Sequence, residues 1–358
     1  MPRPHSRVVS GAGPFPDRVV VVDSTAALRP LALIDLSGTA AEAQAQFPEH
    51  DDLPLLVDDQ TSRRHAGDKT LAVHAGEKLG ARGGAVTTDS IVTPVVSGTT
   101  HWFKSSEDLI AYKEGRRQSF EYGRYGNPTV KALEDKISAL ERAEVTMVTS
   151  SGMNAIAATL LTLLPPGSHV VATTDCYSEA RAFIHDRLGK MGIKSTFIDL
   201  DDMEALKAVL EKNEVTLFYA DSPTNPLLKC VDIRFVAELC HRNGALVCID
   251  STMASPINQK PLTLGADIVL HSATKYMAGH HDVIAGCSHQ KIKQVHYPGL
   301  DSSLWQHVAQ SQMAGYGGVV SFETKSDLRG TMRFIDALEI PFIATSLAAG
   351  SHVILGPD

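Results

Sequence analysis

Short apolar runs and amphipathic stretches take turns along the middle of this chain. Residues 169–172, 195–198, 215–220, 245–250 and 268–270 are apolar runs closed by polar residues, with residues 178–191, 203–212 and 235–242 lying between them. A short apolar run bounded by polar residues reads as a buried strand. Alternation of such strands with helices over short loops predicts an α/β fold, a mainly parallel sheet covered by helices. Upstream, residues 145–148 read as another strand and 155–164 as a helix. Asn127 can cap a helix that Pro128 opens, and Val130, Leu133, Ile137 and Leu140 give that helix an apolar stripe. Residues 105–116 read as a helix with Ser105 as its N-cap.

Residues 1–68 break the rhythm. Pro14, Pro16, Pro30, Pro48 and Pro54 interrupt them, and an acidic patch runs from 49 to 59. Residues 19–22 have strand character, but no helical or alternating pattern lasts, so an irregular N-terminal extension is expected. No secretory apolar core with a cleavage site is present. Arg3, Arg7 and Arg18 are offset by Asp17 and Asp23, a weak match to the acid-poor composition of a transit peptide.

A chain of 358 residues has room for about two domains. Its hydrophobic content is 43%, yet no apolar run approaches the ~20 residues of a membrane span, so a soluble globular protein with no membrane partner is expected. The net charge of −8 argues against nucleic acid or anionic lipid as the main partner. Cysteines at 176, 230, 240, 248 and 287 form no CxxC pair, so reduced thiols and no metal site are expected.

Two strand ends carry candidate chemistry. The run 268–270 continues as His271-Ser272-Ala273-Thr274-Lys275-Tyr276. If the chain stays extended, Ser272 and Thr274 point the same way, just ahead of a lysine where a strand opens into a loop. Lysine forms a Schiff base with a carbonyl or with pyridoxal 5'-phosphate (PLP) once its pKa is lowered, and the hydroxyls suit a phosphate. Alone, the motif reads more simply as a strand ending in a solvated lysine. The strand before it ends in Asp250, followed by Ser251 and Thr252. PLP chemistry needs an acid beside the pyridine nitrogen, and an Asp ending one strand can share a cofactor with a Lys ending the next. A third feature is the turn Ser150-Ser151-Gly152-Met153, which enters a helix whose free N–H groups suit an anion. A plain tight turn would look the same.

At these residues the chain resembles a known family, the Cys/Met-metabolism PLP-dependent enzymes, and within it the plant-type cystathionine gamma-synthases. The resemblance is carried by Ile249-Asp250-Ser251-Thr252, Leu264-Gly265-Ala266-Asp267, His271 to Tyr276 and Ala278-Gly279-His280. It runs from about residue 69 to 287 and resumes from 296 to 347. It implies the aspartate-aminotransferase-like fold (fold type I), with a PLP-binding large domain over 69–287 and an incomplete C-terminal α+β domain over 288–358. Lys275 would hold PLP, and Asp250 would keep its pyridinium charged. Ser151, Gly152 and Met153, with Ser272 and Thr274, would take the phosphate.

Further roles come from the same resemblance. Tyr177 would stack on the ring, where an isolated Tyr more often packs half-buried. Asn225, in the loop 221–226, would donate to the cofactor's phenolic oxygen. Tyr122 and Arg124, in a glycine-rich loop, would reach a neighbouring subunit's PLP phosphate, a task suited to arginine's fork of donors. The implied reaction joins cysteine to an activated homoserine ester by γ-replacement, in a homodimer or homotetramer. A plastid location follows from the resemblance alone, with the cytoplasm as the alternative. A γ- or β-lyase of the family would use the same residues, and a catalytically dead PLP-binding relative is the reading from another class.

The likeness stops after Ala285-Gly286-Cys287. Residues 288–295 lead straight into His296-Tyr297-Pro298-Gly299-Leu300, which lies far downstream in a complete family member. Residues 312–322 and 334–345 follow the family again, and Ser346-Leu347 corresponds to a pair near the substrate carboxylate. Ala348-Ala349 then replaces a Gly-Gly, and the family's carboxylate-gripping arginine is not found. An internal deletion, a truncated second domain and impaired activity are therefore expected.

Overall fold

The computed structural model describes residues 19–23, 67–74, 93–277, 292–317, 319–336, 342–343 and 352–353. Seven strands make the main sheet: β1 (Val19–Asp23), β2 (Val145–Thr149), β3 (His169–Thr173), β4 (Lys194–Ile198), β5 (Leu217–Asp221), β6 (Leu246–Asp250) and β7 (Ile268–His271). Their order is β2-β1-β7-β6-β5-β3-β4, and every neighbouring pair is parallel. Every residue of β3, β5 and β7 is buried. Strands covered on both faces need apolar side chains at every position, so they read as continuous runs rather than alternating ones. The expected parallel α/β sheet is therefore the one observed.

β1 comes from the N-terminal segment. Its Val19 pairs with both Val145 and Ile268, which puts the strand between β2 and β7. Consecutive valines suit a strand with parallel neighbours on both sides.

The ten α-helices among the described residues are α1 (Asp68–His74), α2 (Ser106–Lys113), α3 (Pro128–Glu141), α4 (Gly152–Leu163), α5 (Ser178–Ala182), α6 (Met203–Lys212), α7 (Ile233–Arg242), α8 (Ser255–Asn258), α9 (Gln306–Gln312) and α10 (Leu328–Asp336). Their starts follow the capping residues. Asn127 Oδ1 accepts from Thr129 N at 2.8 Å and Val130 N at 3.3 Å, and Pro128 occupies the first turn of α3. Ser105 Oγ accepts from Asp108 N at 3.2 Å at the start of α2, which ends earlier than expected. In α3 the buried apolar side chains include Ala132, Ile137 and Leu140, while Val130 and Leu133 are half-buried. The helix expected over 178–191 is α5 continued by a π-helical stretch, Phe183–Leu188, and a 3-10 turn, Gly189–Met191. Gly192, at φ 78°, ends it in the left-handed region that glycine enters without cost.

The core lies in layers on the two faces of the sheet. Val171, Phe218, Ala220, Val247 and Ile249 pack with side chains of α6 and α7. On the other face Val170, Ala172, Leu217, Tyr219, Cys248 and Leu270 pack with α4 and the segment after α5. Residues beyond the break in family likeness dock on this body. Val308 and Ala309 of α9 pack with Cys230, Ala254 and Met313. Gln312 Nε2 donates to Val231 O at 2.8 Å, and its Oε1 accepts from Ile233 N at 3.3 Å. β8 (Ile292–His296) and β9 (Ser321–Thr324) form a separate antiparallel pair, and β10 (Phe342–Ile343) pairs with β11 (His352–Val353).

Candidate active site

A chain of contacts joins the carboxyl ends of the central strands. Tyr177 N donates to Asp221 Oδ2 at 2.9 Å. Asp221 and Asp250 are register partners at the ends of β5 and β6. Asp250 Oδ1 accepts from Thr252 N at 3.0 Å, and Thr252 Oγ1 accepts from Ser272 N at 2.8 Å. Ser272 in turn sits against Gly152, where an added Cβ would lie 2.9 Å from Ser272 Cβ and 3.0 Å from its Oγ. Tyr177, Asp250, Ser272 and Gly152, singled out in sequence, are thus assembled in one place. The carboxyl edge of an open parallel sheet is where α/β folds bind ligands.

The entry to α4 is built for an anion. Ser151 Oγ accepts from Asn154 N at 3.1 Å, and Ala155 N opens the helical ladder by donating to Ser151 O at 2.9 Å. Gly152 and Met153 are left with the N–H groups that a first turn cannot pair within the helix. Because Gly152 has no Cβ, the Ser272 side chain can approach this turn. The turn's free N–H groups and the Ser272 hydroxyl together are the donor set that a PLP phosphate requires.

Asp250 is 8% exposed. Burial raises its pKa, opposed by hydrogen bonds from Thr252 and by nearby His271. Asp221, at 7% exposure, is pushed well above the carboxylate range by burial and then by Asp250. A pyridinium beside Asp250 would supply the positive charge this buried pair lacks, so the residues present fit PLP at both its ring and its phosphate end.

One expectation needs correction. The chain does not stay extended through Ser272 and Thr274. Residues 273–277 turn, with Lys275 N donating to Ser272 O at 3.0 Å. The cause is Thr252, whose hydroxyl takes the Ser272 N–H and ends the strand ladder. Lys275 and Thr274 lie half-buried in that turn.

The other candidates are placed as follows. Asn225 is half-buried in a loop with cis peptides at Ser222–Pro223 and Asn225–Pro226, closed by Thr224 N donating to Lys229 O at 2.9 Å. The Tyr177 side chain is 44% exposed. Arg124 is exposed and stacks 4.7 Å from the Tyr122 ring centroid, while Gly123 N ties the loop to Thr99 O at 2.7 Å. Tyr122 also pairs with Thr100 in an isolated antiparallel bridge. Ser346 lies outside the described residues.

Two features escaped the sequence reading. His271 Nε2 lies 2.6 Å from Glu141 Oε1, with both side chains fully buried. Glu141 Oε2 and His271 Nδ1 have no hydrogen-bond partner among the described residues. This pair ties the end of β7 to the end of α3. Asp221 is the second; its signal was present, since it closes an apolar run as Asp250 does.

The profile of the family described as "Cys/Met metabolism PLP-dependent enzyme" matches residues 69–288 and 287–357, in two pieces that meet where the sequence likeness breaks. Cystathionine gamma-synthase 1, chloroplastic, of Nicotiana tabacum is 42% identical over 410 aligned residues, covering 99% of this chain and 74% of that protein. Its Arabidopsis thaliana namesake is 44% identical over 356 residues, covering 83% of this chain and 63% of that protein. L-Methionine gamma-lyases are less alike, at 31–33% identity. Among solved structures, cystathionine gamma synthase from Xanthomonas oryzae pv. oryzae, in complex with aminoacrylate and cysteine, superposes with a TM-score of 0.70 at 28% identity. It covers 79% of this chain and 84% of that one.

Proposed function

This chain belongs to the Cys/Met metabolism PLP-dependent enzyme family, and on that premise we propose that it is a transferase of the cystathionine gamma-synthase type. It joins the sulfur of cysteine to the γ-carbon of an activated homoserine ester as the γ C–O bond breaks and the activating group leaves with the thiol's proton released, a transsulfuration step towards methionine. The observation that carries this reading is the run of contacts from Tyr177 through Asp221, Asp250, Thr252 and Ser272 to Gly152. The greater likeness to plant synthases than to lyases supports the synthase reading.

PLP supplies an electron sink for charge developing on the substrate's carbon chain. The N–H groups of Gly152 and Met153, with the hydroxyls of Ser151, Ser272 and Thr274, hold its phosphate. Asp250 keeps the proton on its pyridine nitrogen, Tyr177 covers its ring and Asn225 donates to its ring oxygen. Lys275 Nζ holds its carbonyl carbon. As a free amine, Lys275 Nζ would move protons between substrate carbons. Ser346 serves the substrate carboxylate. Tyr122 and Arg124 reach the phosphate site of a second copy, which makes the working enzyme a homo-oligomer; the exposure of Arg124 supports this. A plastid location follows from relatives named as chloroplastic.

The test is to supply purified chain and PLP with cysteine and an activated homoserine ester, and to look for cystathionine. A keto acid and ammonia, without cystathionine, would assign a lyase instead. A second reading, in which PLP binds but turnover is low, is supported by the two-piece family match. It is also supported by exposed apolar side chains in the second piece: Phe322 (41%), Leu328 (53%), Met332 (46%) and Phe334 (39%). Equal turnover by this chain and by one with the family's missing internal segment restored would refute that reading.

A further inference from the structure

We propose that Asp221 is a positioning residue of this site: it is the neutral partner of Asp250, seating Tyr177 through its backbone and leaving the pair's one negative charge to Asp250. The inference rests on the PLP site proposed above and concerns a residue to which that reading gives no role.

Three observations meet at Asp221. First, Asp221 and Asp250 are register partners on adjacent parallel strands, about 4.8 Å apart, so their side chains leave the sheet on one face. That face is the one carrying Tyr219 and Cys248 in the core. Second, both carboxyls are nearly sealed from water. Third, the two oxygens of Asp221 differ. Oδ2 accepts from Tyr177 N at 2.9 Å, whereas Oδ1 has no hydrogen-bond partner among the described residues. A carboxylic acid fits this asymmetry, with its carbonyl oxygen accepting from Tyr177 and its proton on Oδ1.

Two like charges this close in a buried site do not both ionise, so the pair's single charge must settle on one side. The surroundings decide which. Asp250 receives hydrogen bonds from Thr252 and faces His271, all of which favour its charged form. Asp221 has the bond from Tyr177 N, and the neighbouring Tyr219 hydroxyl also favours its charge, but burial outweighs both, with Asp250 and Asp175 acting in the same direction as burial. Asp175 is ion-paired with Lys229 at 2.8 Å, and the nearby Cys176 and Cys248 thiols are pushed up by burial and by Asp221 and Asp250. The Tyr219 hydroxyl is fully buried with no described hydrogen-bond partner, and it favours the charged form of both carboxyls, so it does not choose between them.

The pH consequence has a definite sign. An acid whose pKa is raised on folding is neutral at low pH, and its contribution is lost as pH rises through the raised value. Above that point a second negative charge appears beside Asp250, and both PLP binding and the seating of Tyr177 weaken. Asparagine at 221 keeps the acceptor for Tyr177 N and cannot ionise.

The experiment measures PLP affinity across pH for wild type, Asp221→Asn and Asp221→Ala, alongside borohydride labelling of the wild-type chain. Asp221→Asn should match wild type within about threefold at neutral pH and lack its alkaline loss. Asp221→Ala should bind about tenfold more weakly at every pH, having left a buried N–H unpaired. If Lys275 is labelled but Asp221→Asn is as weak as Asp221→Ala, or keeps the wild-type alkaline limb, the role of Asp221 is overturned while the site stands. Absence of label at Lys275 overturns the site and this proposal together. Infrared spectra of the wild-type chain give a check that needs no variant. A protonated buried carboxyl band at neutral pH is expected, and its absence overturns the proposal.

Discussion

Gly152→Ala should cripple PLP binding while leaving the fold largely intact. The added Cβ would lie 2.9 Å from Ser272 Cβ, 3.0 Å from its Oγ and 3.4 Å from its Cα. Carbon atoms settle at about 3.5–4.0 Å, so the first turn of α4 and the end of β7 must part by roughly 0.6–1 Å. Ser272 cannot yield easily, because its N–H is bound to Thr252 Oγ1 at 2.8 Å and its carbonyl to Lys275 N at 3.0 Å. Overpacking of this kind costs about 1–3 kcal/mol of stability. Losing one charge-assisted contact to the phosphate costs about 1.5–3 kcal/mol more of binding energy, or roughly 10- to 150-fold in affinity. Equilibrium titration with PLP, followed by fluorescence, measures this directly. Gly189→Ala is the control, since nothing lies within 4 Å of its added Cβ. Affinity within twofold of wild type in Gly152→Ala would show that the phosphate does not sit where α4 meets Ser272.

Other outcomes follow from the same geometry. Glu141→Ala should cost about 3–5 kcal/mol in urea unfolding, because it strands a fully buried His271; a loss below about 1 kcal/mol would mean the pair contributes no more than a solvated one. Arg124→Ala should weaken PLP binding by about 1.5–3 kcal/mol, and sedimentation should show a dimer or larger in the wild type; a monomer holding PLP tightly would contradict the proposed crossing between copies. Cys176, Cys230, Cys240 and Cys248 are buried, with Cys230 and Cys240 pushed up to about 12 by burial, so iodoacetamide at pH near 8 should modify these four only after unfolding. Mass mapping of native and denatured samples checks it, and rapid native labelling of any of the four would contradict their burial.

The sheet was legible because its strands are short, apolar and buried on both faces, a pattern that is local. Likewise, Asn127 and Pro128 announce α3 within two residues. What could not be read is what depends on distant partners. The place of β1 rests on Val19 pairing with residues far along the chain at 145 and 268. The turn after His271 depends on a hydroxyl at Thr252, twenty positions upstream. Glu141 looks like an ordinary helix-ending acid until β7 brings His271 against it. Lys275 and Asp250 stood out because each follows an apolar run, and Asp221 follows one too. Its pairing with Asp250 becomes visible only once β5 and β6 lie side by side.

Borohydride reduction of the chain mixed with PLP, followed by peptide mapping, tests the central claim most directly, because reduction fixes the cofactor to the nitrogen that holds it. The label should fall on Lys275, in the turn that follows β7. Label on another lysine, or none at all, would contradict the assignment of this strand edge as the PLP site.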